Sequence, residues 1–530
     1  MAKAFASVAV AMLCWLGPVC AQTPSGTTFR SDSQLVLVPT VVMEHGEYVR
    51  GLTKSNFVVL HNRKPEKIAV FEEIDAVPAA TGAALQVEKS AWNVAPGEDR
   101  QDTVILLLDF LNATPVTAGS IRRELPTIAK GFLDSHAAVA VLILSYHGLV
   151  PVHTVNDDLS HLQEAIELWQ LKKPLKNSST ADPSVGYSAP LDPAHASYSL
   201  QQYAIAPEYA PKGPMHIDAS GLDRYAMTVR AVEQIAQAFR GVPGRKKLIW
   251  ITSDLPEFVQ RAAGVPTELA PSETSLRLWK TLMDGDIVVY PVLVNQLQAI
   301  GGFSPCGSAM SPEFSLVYKT GGSICNDKPE LCVKRALSDA QHYYVLGFYL
   351  PRDTKPGWHE LQVRARSDKY SVRSRTGFIV SNPAAPSAQP FDEKDFLANI
   401  ALASPLDYTA LPLKLVWTPV IRNGQSIIEL TLTSPPGNVT ADDAMSVDVS
   451  ILTFIRREAA ERGQYLPATV TQTLTPPERD RLARNGFVFR TRIPLAPGRY
   501  GVRVLVRDNA SQKIGSVSAE IDFAAPVAQK

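Results

Sequence analysis

The sequence predicts an α/β doubly wound domain, preceded by an N-terminal antiparallel β element and followed by a C-terminal β-sandwich domain. Between residues 101 and 295, continuous apolar runs such as VILLL and AVAVLIL alternate with segments of helical periodicity. Such runs are typical of strands buried on both faces of a parallel sheet. Towards the C-terminus, apolar and polar residues alternate one by one, in residues 428–433 and 500–507. This alternation predicts half-buried antiparallel strands, and Asn423-Gly424 marks a hairpin turn between two of them.

Individual elements follow from local patterns along the chain. The first strands are predicted from QLVLVPTVVM and from the runs at residues 57–60 and 67–71, which flank turn residues. In the α/β region, helices are predicted where apolar residues recur on one face, as at Ile121, Leu125, Ile128 and Phe132, and again at Val232, Ile235, Ala236 and Phe239. The second of these helices is expected to end at the glycines of residues 241–244.

Changes in composition set the predicted domain boundaries. Residues 75–100 are rich in Ala, Pro and Gly, and residues 172–222 are rich in Pro, Ser, Tyr and Ala with little periodicity. We predict, in chain order, a signal peptide (1–21), an N-terminal β element (33–74), a linker (75–100), the α/β domain (101–380) with an inserted loop (172–222), a hinge (381–390) and the β-sandwich domain (391–526).

The N-terminus carries the pattern of a Sec-type signal peptide. Lys3 precedes an apolar run that ends near Leu16, and small residues at Val19 and Ala21 suit cleavage after Ala21. The run is shorter than the ~20 apolar residues that a membrane span needs. A lipoprotein with Cys20 modified is the alternative. We therefore predict a secreted or periplasmic protein with no integral membrane segment after signal cleavage.

The length and the net charge of the chain limit the classes of protein to which it can belong. The chain has 530 residues, which suits two to four domains, and 45% of them are hydrophobic, as in ordinary globular proteins. Basic and acidic residues both number 52, so the net charge is zero. Net charge therefore gives no reason to expect nucleic acid or an anionic membrane as a partner.

Three cysteines remain after the predicted cleavage, at Cys306, Cys325 and Cys332. An oxidising compartment favours one disulfide with one thiol left over, and three pairings are open. We favour Cys325–Cys332, because CNDKPELC closes a short loop. Zinc is the rival interpretation, but neither a second cysteine pair nor a suitable histidine spacing accompanies these residues.

Two predicted parallel strands end in acids. Asp109 follows VILLL, and Asp254 follows LIWITS. Ligands of doubly wound sheets gather outside the carboxyl ends of the strands, so these acids mark a candidate site. The alternative is that both acids cap helix N-termini and loop amides at this edge.

A longer set of segments resembles a known family. LVLVPTVV, GLTKSNFVVLHNRKPEKIAVF, LLLDFLNATP, GRKKLIWITSDLP, VVYPVLV and ALSDAQHYYVLGFYLPRDTKPGWHELQVRARSDKYSVRSRTGF follow one another between Ser33 and Phe378. In this order they resemble the secreted bacterial proteins called VWFA-related, which contain a von Willebrand factor A-like domain. The resemblance implies a Rossmann-like sheet with a metal-ion-dependent adhesion site at its carboxyl edge. The C-terminal sandwich lies outside it.

The family's metal site departs from its usual pattern in this chain. In the family, an Asp-x-Ser-x-Ser loop, a Thr and a second Asp hold Mg²⁺ through hard oxygens. Asp109 stands at the first position, but Leu111 and Ala113 occupy the two Ser positions. Asp254 matches the later Asp and follows Thr252 and Ser253, while Thr228 is a weak candidate for the family's Thr because a helix is predicted there. The resemblance implies at most a weak, degenerate Mg²⁺ or Mn²⁺ site, whose expected ligands are Asp109, Asn112, Thr114 and Asp254.

The predicted function is protein–protein or protein–matrix interaction outside the cytoplasm, through the carboxyl edge of the sheet and the inserted loop. Tyrosines suit such a contact surface, and the loop carries Tyr187, Tyr198, Tyr203 and Tyr209. The alternatives are a structural cell-envelope component without a ligand site and a hydrolase that uses the acids at this edge. The sequence contains no H-E-x-x-H, no Walker loop, no G-x-S-x-G and no paired catalytic cysteine, so we expect no enzyme. His147, His153 and His359 are interpreted as structural.

Overall fold

The computed structural model describes residues 34–75, 90–94, 103–113, 115–133, 137–145, 148–155, 161–162, 164, 221–252, 273–294, 316–325, 327–351, 353–380, 401–402, 404–422, 425–441, 445–458, 460 and 463–523. Within these residues, strands cover about twice as many positions as helices. Four of the five sheets pair their strands in antiparallel fashion throughout. The predicted α/β doubly wound class is therefore wrong for this chain, which is mostly antiparallel β. The alternation of apolar strands with helices that suggested this class is confined to the central region, where it produces one sheet.

The N-terminal strands are β1 (Leu35–Glu44), β2 (Glu47–Tyr48), β3 (Phe57–His61), β4 (Lys64–Glu66), β5 (Val70–Asp75) and β6 (Ser90–Trp92). In β1, Val36 and Val38 are buried while Leu35 and Leu37 are exposed, as alternation along a strand requires. Strands β3 and β4 form a hairpin across Asn62 and Arg63, which both have positive φ. Two such residues are the mark of a tight hairpin turn, and Asn tolerates this backbone well.

The central region contains β7 (Thr103–Asp109), α1 (Pro115–Leu133), β8 (Ala138–Ser145), β9 (Gly148–His153), α2 (Gly221–Phe239), β10 (Lys246–Thr252), α3 (Glu273–Asp284), β11 (Ile287–Leu293), α4 (Leu316–Thr320) and α5 (Pro329–Gln341). Its sheet has the order β11-β10-β7-β8-β9, in which the first four strands are parallel and β9 is antiparallel to β8. Alternate residues of β7 pack into two cores. Ile105 and Leu107 meet α2 and α3, whereas Leu106 and Leu108 meet α1 and α5.

Four later strands complete an N-terminal β-sandwich: β12 (His342–Tyr349), β13 (Gly357–Ala365), β14 (Ser371–Ser374) and β15 (Gly377–Val380). One of its sheets has the order β14-β1-β12-β5 with β2 beside β1, and the other has the order β15-β13-β3-β4. Val38, Tyr344 and Phe348 of the first sheet pack against Val59 and Phe378 of the second. Residues 342–380 thus pair with the N-terminal strands and not with the central sheet.

The outer face of the first sheet contacts the amino-terminal edge of the central sheet. Arg245, just before β10, lies over the ring of Tyr343 at 5.4 Å. Pro39, Arg245, Asp286 and Arg375 line a small cavity at this contact. Burial lowers the pKa of Arg375, an effect that Asp286 and Asp284 partly oppose.

The C-terminal strands are β16 (Lys414–Arg422), β17 (Gln425–Ser434), β18 (Ser446–Arg457), β19 (Gln464–Thr473), β20 (Phe487–Pro494), β21 (Gly498–Asp508) and β22 (Lys513–Phe523), with helix α6 (Pro476–Asn485) before β20. They form two sheets, β20-β17-β16-β6 and β19-β18-β21-β22. Strand β6 lies within the predicted linker and was not predicted from the sequence. Beside it, the Asn93 amide donates to Tyr408 O and Leu411 O at 2.7 and 2.8 Å and accepts from Leu413 N at 2.7 Å.

This C-terminal body packs directly on the central one. Phe454 and Leu505, from β18 and β21, belong to the same hydrophobic cluster as residues of α2 and α3. Thr409 joins the end of α2, because its hydroxyl donates to Ala238 O at 2.7 Å and accepts from Gly241 N at 2.9 Å. The contact therefore combines apolar burial with hydrogen bonds, and both act to hold the two bodies together.

Several predicted segments lie outside the described residues: the signal peptide 1–21, the inserted loop up to residue 220, and the hinge 381–390. The domain boundaries remain predictions. Among the helices that the structure describes, none has the length and apolar character to cross a bilayer.

We expect Gly241→Ala to destabilise the protein. A methyl group at Gly241 would collide with the backbone carbonyl of Thr409, so the C-terminal body would have to shift. Overpacking of this kind costs about 1–3 kcal/mol. Gly119→Ala in α1 is the matched control, since nothing lies within 4 Å of its added methyl group and Ala in a helix interior stabilises by up to about 1 kcal/mol. Denaturant unfolding of both variants measures the difference, and an equal effect would contradict the described contact.

Candidate functional site

Asp109 lies at the carboxyl end of β7, at the centre of the parallel strands, and its side chain is fully buried. Strand β7 is flanked by β10 on one side and β8 on the other, so its last residue lies in the middle of the sheet. The following backbone turns at once over β8, where Leu144 O accepts from Phe110 N at 2.9 Å and from Leu111 N at 3.1 Å. The carboxylate is thereby placed inside the protein, beneath the loop that follows the strand.

Both oxygens of Asp109 accept hydrogen bonds. Oδ1 accepts from the backbone N–H of Asn112 at 2.9 Å. Oδ2 accepts from Asn112 Nδ2 at 2.9 Å, from Trp250 Nε1 at 3.1 Å and from Thr252 Oγ1 at 3.0 Å. Three donors on one oxygen exceed its two lone-pair directions. The carboxylate is therefore committed to protein donors that reach it from the following loop and from β10.

Asn112 extends this network to a helix. Its Nδ2 also donates to Thr228 Oγ1 of α2 at 2.9 Å. Asn112 therefore presents N–H groups, and not its amide oxygen, to both Asp109 and Thr228. Thr228 is fully buried, so the bridge links the loop after β7 to the middle of α2 inside the protein.

The buried environment shifts the proton affinity of the carboxyl group. Burial raises the pKa of Asp109 above its ordinary value of 3.8, and the hydrogen bonds from Asn112, Trp250 and Thr252 lower it only in part. Desolvation disfavours a charge, whereas donors favour it, so the two effects oppose each other here. Among the described residues, no cationic side chain contributes to the shift, and the compensation that they offer a charge on Asp109 consists of hydrogen bonds.

The predicted site residues are brought together in part. Asp109 and Asn112 meet, while Thr114 and Asp254 lie outside the described residues. Leu111 is fully buried in one core and Ala113 packs partly against the other, so both act as packing residues. Thr252 and the discounted Thr228 both join the network. Trp250 was missed altogether, and the signal that could have found it is an indole with a polar N–H within an otherwise aliphatic strand.

The described donors do not fit a Mg²⁺ or Mn²⁺ ion. Such an ion needs several oxygen lone pairs at one point, whereas three N–H or O–H groups converge on Asp109 Oδ2. Across the described ranges, no group of three His, Cys, Asp or Glu side chains is placed to hold a metal. The predicted cation site also depends on Thr114 and Asp254 and stays a prediction.

Cys325 and Cys332 form a disulfide, with a Cα–Cα distance of 5.6 Å. Cys325 also extends the edge of the central sheet, because its N–H donates to Pro291 O at 3.0 Å and its carbonyl accepts from Leu293 N at 3.1 Å. Cys332 lies in α5 and is buried. The disulfide thus joins the free side of β11 to the helix that packs over it.

Two of the three predicted structural histidines are described. His153 is buried, and its Nδ1 lies 2.8 Å from Val139 O. His359 lies opposite Phe378 of β15, in the strand β13 that lies between β15 and β3. It contacts His61, which was not among the residues predicted from the sequence.

Comparisons with known proteins identify no relative. No protein-family model matches the chain, and no curated protein matches it. Among solved structures, similarity is found to the pilus adhesin SpaC of Lactobacillus rhamnosus GG in its open conformation, with 10% identity over 80% of this chain and 53% of the adhesin and a TM-score of 0.22. The chain thus spans about half the length of that adhesin. A TM-score this low does not establish a common fold, and none of these comparisons supports the resemblance of the sequence to VWFA-related proteins.

We expect Asp109→Ala to lower the free energy of unfolding by about 3 kcal/mol, because it leaves several buried donors without an acceptor. Asp368→Ala is the matched control, since Asp368 is exposed and surface changes usually stay within about 0.5 kcal/mol. Denaturant unfolding at neutral pH measures both. Equal effects would show that the buried network contributes nothing.

The raised pKa of Asp109 predicts a pH dependence. Between 3.8 and its raised value, the folded chain binds the proton more readily than the unfolded chain. Stability from this group is therefore present at the acidic end and is lost as pH rises through the window. Asp109→Asn removes the titration, so its cost relative to wild type should shrink as pH rises from 4 towards 7. Unfolding measured across that range tests this, and a cost that grows with pH would contradict it.

Proposed function

We propose that this chain is an exported protein whose role is to bind another protein, through an apolar strip on the outer face of its N-terminal sandwich. The strip consists of Leu35, Leu37 and Tyr349, which are 38%, 44% and 51% exposed. A single exposed side chain of this kind is ordinary, but several of them next to one another on a surface indicate an interaction site. This exposed strip is the single observation that carries the proposal.

The strip is continuous across neighbouring strands. Leu35 lies directly opposite Tyr349, and Leu37 lies opposite Gly347, which in turn lies opposite Val70 on β5. A Cβ at Gly347 would sit 3.1 Å from Leu37 Cδ2 and 2.8 Å from Val70 Cβ, so these two side chains close over the glycine. The surface therefore extends over three strands.

The same part of β1 also has a strand edge within reach. In the described residues, β14 pairs with β1 only from Thr40 to Met43, so the half of β1 that carries Leu35 and Leu37 has β12 alone as its partner strand. On the open side, Leu37 O accepts from Arg375 Nη2. A strand edge that pairs with no other strand, next to apolar side chains, suits an extended segment of a partner protein, although the partner would have to displace Arg375 from Leu37 O to bond there.

Export is supported by the disulfide. A bond between Cys325 and Cys332 persists in oxidising compartments and is rare in the cytosol. This agrees with the signal peptide predicted for residues 1–21. We therefore propose that the interaction takes place in the periplasm or outside the cell.

The carboxyl edge of the central sheet is a second candidate surface. Its described part is closed, because Asp109 is buried beneath its own hydrogen-bond donors. A partner held there through Mg²⁺ or Mn²⁺ would need ligands from the residues that follow β10 and β7. Chelation separates this candidate from the apolar strip.

We expect substitution in the strip to weaken capture of the partner strongly. The full chain is used to capture crosslinked proteins from the envelope fraction, alongside the double variant Leu37→Glu and Tyr349→Lys. Val488→Glu on β20 is the matched control, since Val488 is 48% exposed in a different sheet. Loss of a hot-spot contact typically weakens binding at least about tenfold, so proteins retained by wild type and control should be depleted from the double variant.

Two results are informative. Equal capture by all three proteins would overturn the strip as the contact surface. Capture that a chelator abolishes, but that the double variant retains, would move the function to the carboxyl edge of the central sheet. Thermal unfolding of each variant confirms that it folds, because charges at exposed positions should shift stability little.

A further inference from the structure

The cavity between the N-terminal sandwich and the central sheet brings two arginines together. Arg245 lies just before β10 and Arg375 lies between β14 and β15, and both line this cavity, as do Pro39 and Asp286. Arg245 is only 4% exposed, and Arg375 is half-buried. The two guanidinium groups come from different bodies of the protein, so the cavity is part of the contact that holds the sandwich against the central sheet.

Three buried nitrogens of these arginines make no hydrogen bond to the part of the chain that the structure describes. They are Nε and Nη1 of Arg245 and Nε of Arg375, whereas Nη2 of Arg375 donates to Leu37 O. The ring of Tyr343, whose centre lies 5.4 Å from the guanidinium carbon of Arg245, attracts the positive charge. The N–H groups of a guanidinium can only donate, and a buried donor without an acceptor costs free energy. The cavity is therefore lined by donors that require an acceptor.

One carboxylate lines the cavity beside the two arginines. Asp286 forms no ion pair among the described residues. Burial lowers the pKa of Arg375, and Asp286 and then Asp284 partly oppose this as nearby charges. Asp284 is already paired with Arg240 at 3.1 Å and with Lys280 at 2.5 Å. Two guanidinium groups, which stay charged in proteins, therefore share one carboxylate, and the cavity has a net positive charge.

The cavity admits an occupant about the size of one water molecule. A volume of about 10 Å³ is open to the centre of a water-sized sphere, which is close to the smallest that holds one water. Thr320 also lines it, but its hydroxyl accepts from Val289 N at 3.1 Å and donates within α4. A single halide ion is only slightly larger than water, whereas phosphate, sulfate and carboxylates are too large for this space.

We propose that a chloride ion binds in this cavity and is held between Arg245 and Arg375. Charge-assisted hydrogen bonds from the two side chains satisfy buried N–H groups, and the negative charge offsets the repulsion between the two guanidinium groups. A water molecule can accept the same hydrogen bonds, but it leaves the buried positive charge uncompensated, which is strongly destabilising. The ion contacts one arginine from each body and so joins the sandwich to the central sheet.

Unfolding of the full chain in urea at constant ionic strength tests the site. Sodium chloride is exchanged stepwise for sodium gluconate, whose anion is too large for the cavity. An ion that binds only the folded chain stabilises it by mass action, so each tenfold rise in chloride above its dissociation constant should raise the folding equilibrium constant about tenfold. Equal stability in chloride and in gluconate would overturn the proposal and leave water as the occupant.

Two variants of the cavity locate the effect. Arg245→Met and Arg375→Met should each flatten the dependence of stability on chloride, because either change removes one of the two positive charges. Arg490→Met is the matched control, since Arg490 is exposed on β20 and should leave the dependence unchanged. The readout is the slope against chloride, so a general loss of stability in a variant does not imitate the expected result. A slope that Arg245→Met retains would contradict binding at this site.

Anomalous diffraction from crystals of the wild-type protein soaked in bromide gives a readout that needs no variant. Bromide has the charge of chloride and nearly its size, so it should replace chloride in the cavity. The expected result is an anomalous peak within hydrogen-bonding distance of both Arg245 and Arg375. Density without an anomalous signal at this position, after bromide has exchanged elsewhere in the crystal, would overturn the proposal.

Discussion

The position of β12 between β1 and β5 constrains the rest of the molecule. Asp75, at the end of β5, lies opposite His342, at the start of β12. The chain therefore leaves this sheet and returns to it in the adjacent strand, so both ends of residues 76–341 are fixed side by side. The chain that forms the central sheet begins after β5 and ends before β12, so the central sheet packs against the outer face of the sheet that contains these two strands. Arg245 lies over the ring of Tyr343 at this contact. β6, which lies early in this segment, also reaches the C-terminal body and pairs with β16.

Local structure could be predicted from the sequence where the signal is itself local. The apolar runs at β7, β10 and β11 became strands in which every residue is buried. Long-range pairing leaves no such signal. Nothing in HYYVLGFY distinguishes a strand at the edge of the central sheet from one that pairs with β1, about 300 residues earlier. Three residues at Ser90–Trp92 are too few to show a period. The fold class was misjudged because these pairings, and not the local runs, decide it.

The candidate site shows the same division between what local sequence predicts and what depends on long-range packing. A buried strand that ends in an acid predicts where Asp109 lies, but not which groups satisfy it. Trp250 reads as packing within LIWIT, yet its indole N–H reaches the carboxylate. Thr228 was discounted because it lies in a helix, and it joins the network because α2 packs over the loop that contains Asn112. Side chains that converge from separate elements become apparent only once those elements are placed.

The adjacency of β5 and β12 also bears on the order in which the chain folds. Closing a loop of this length costs conformational entropy that the first few contacts between β1 and β12 must overcome. A central body that has already formed brings its two ends close together and so removes most of that cost. We expect the parallel sheet to form early, from pairings that are closer in sequence, and the N-terminal sandwich to close last. Until then β1 would remain an apolar strand without its partner, which makes the interval between synthesis and closure the stage most exposed to aggregation.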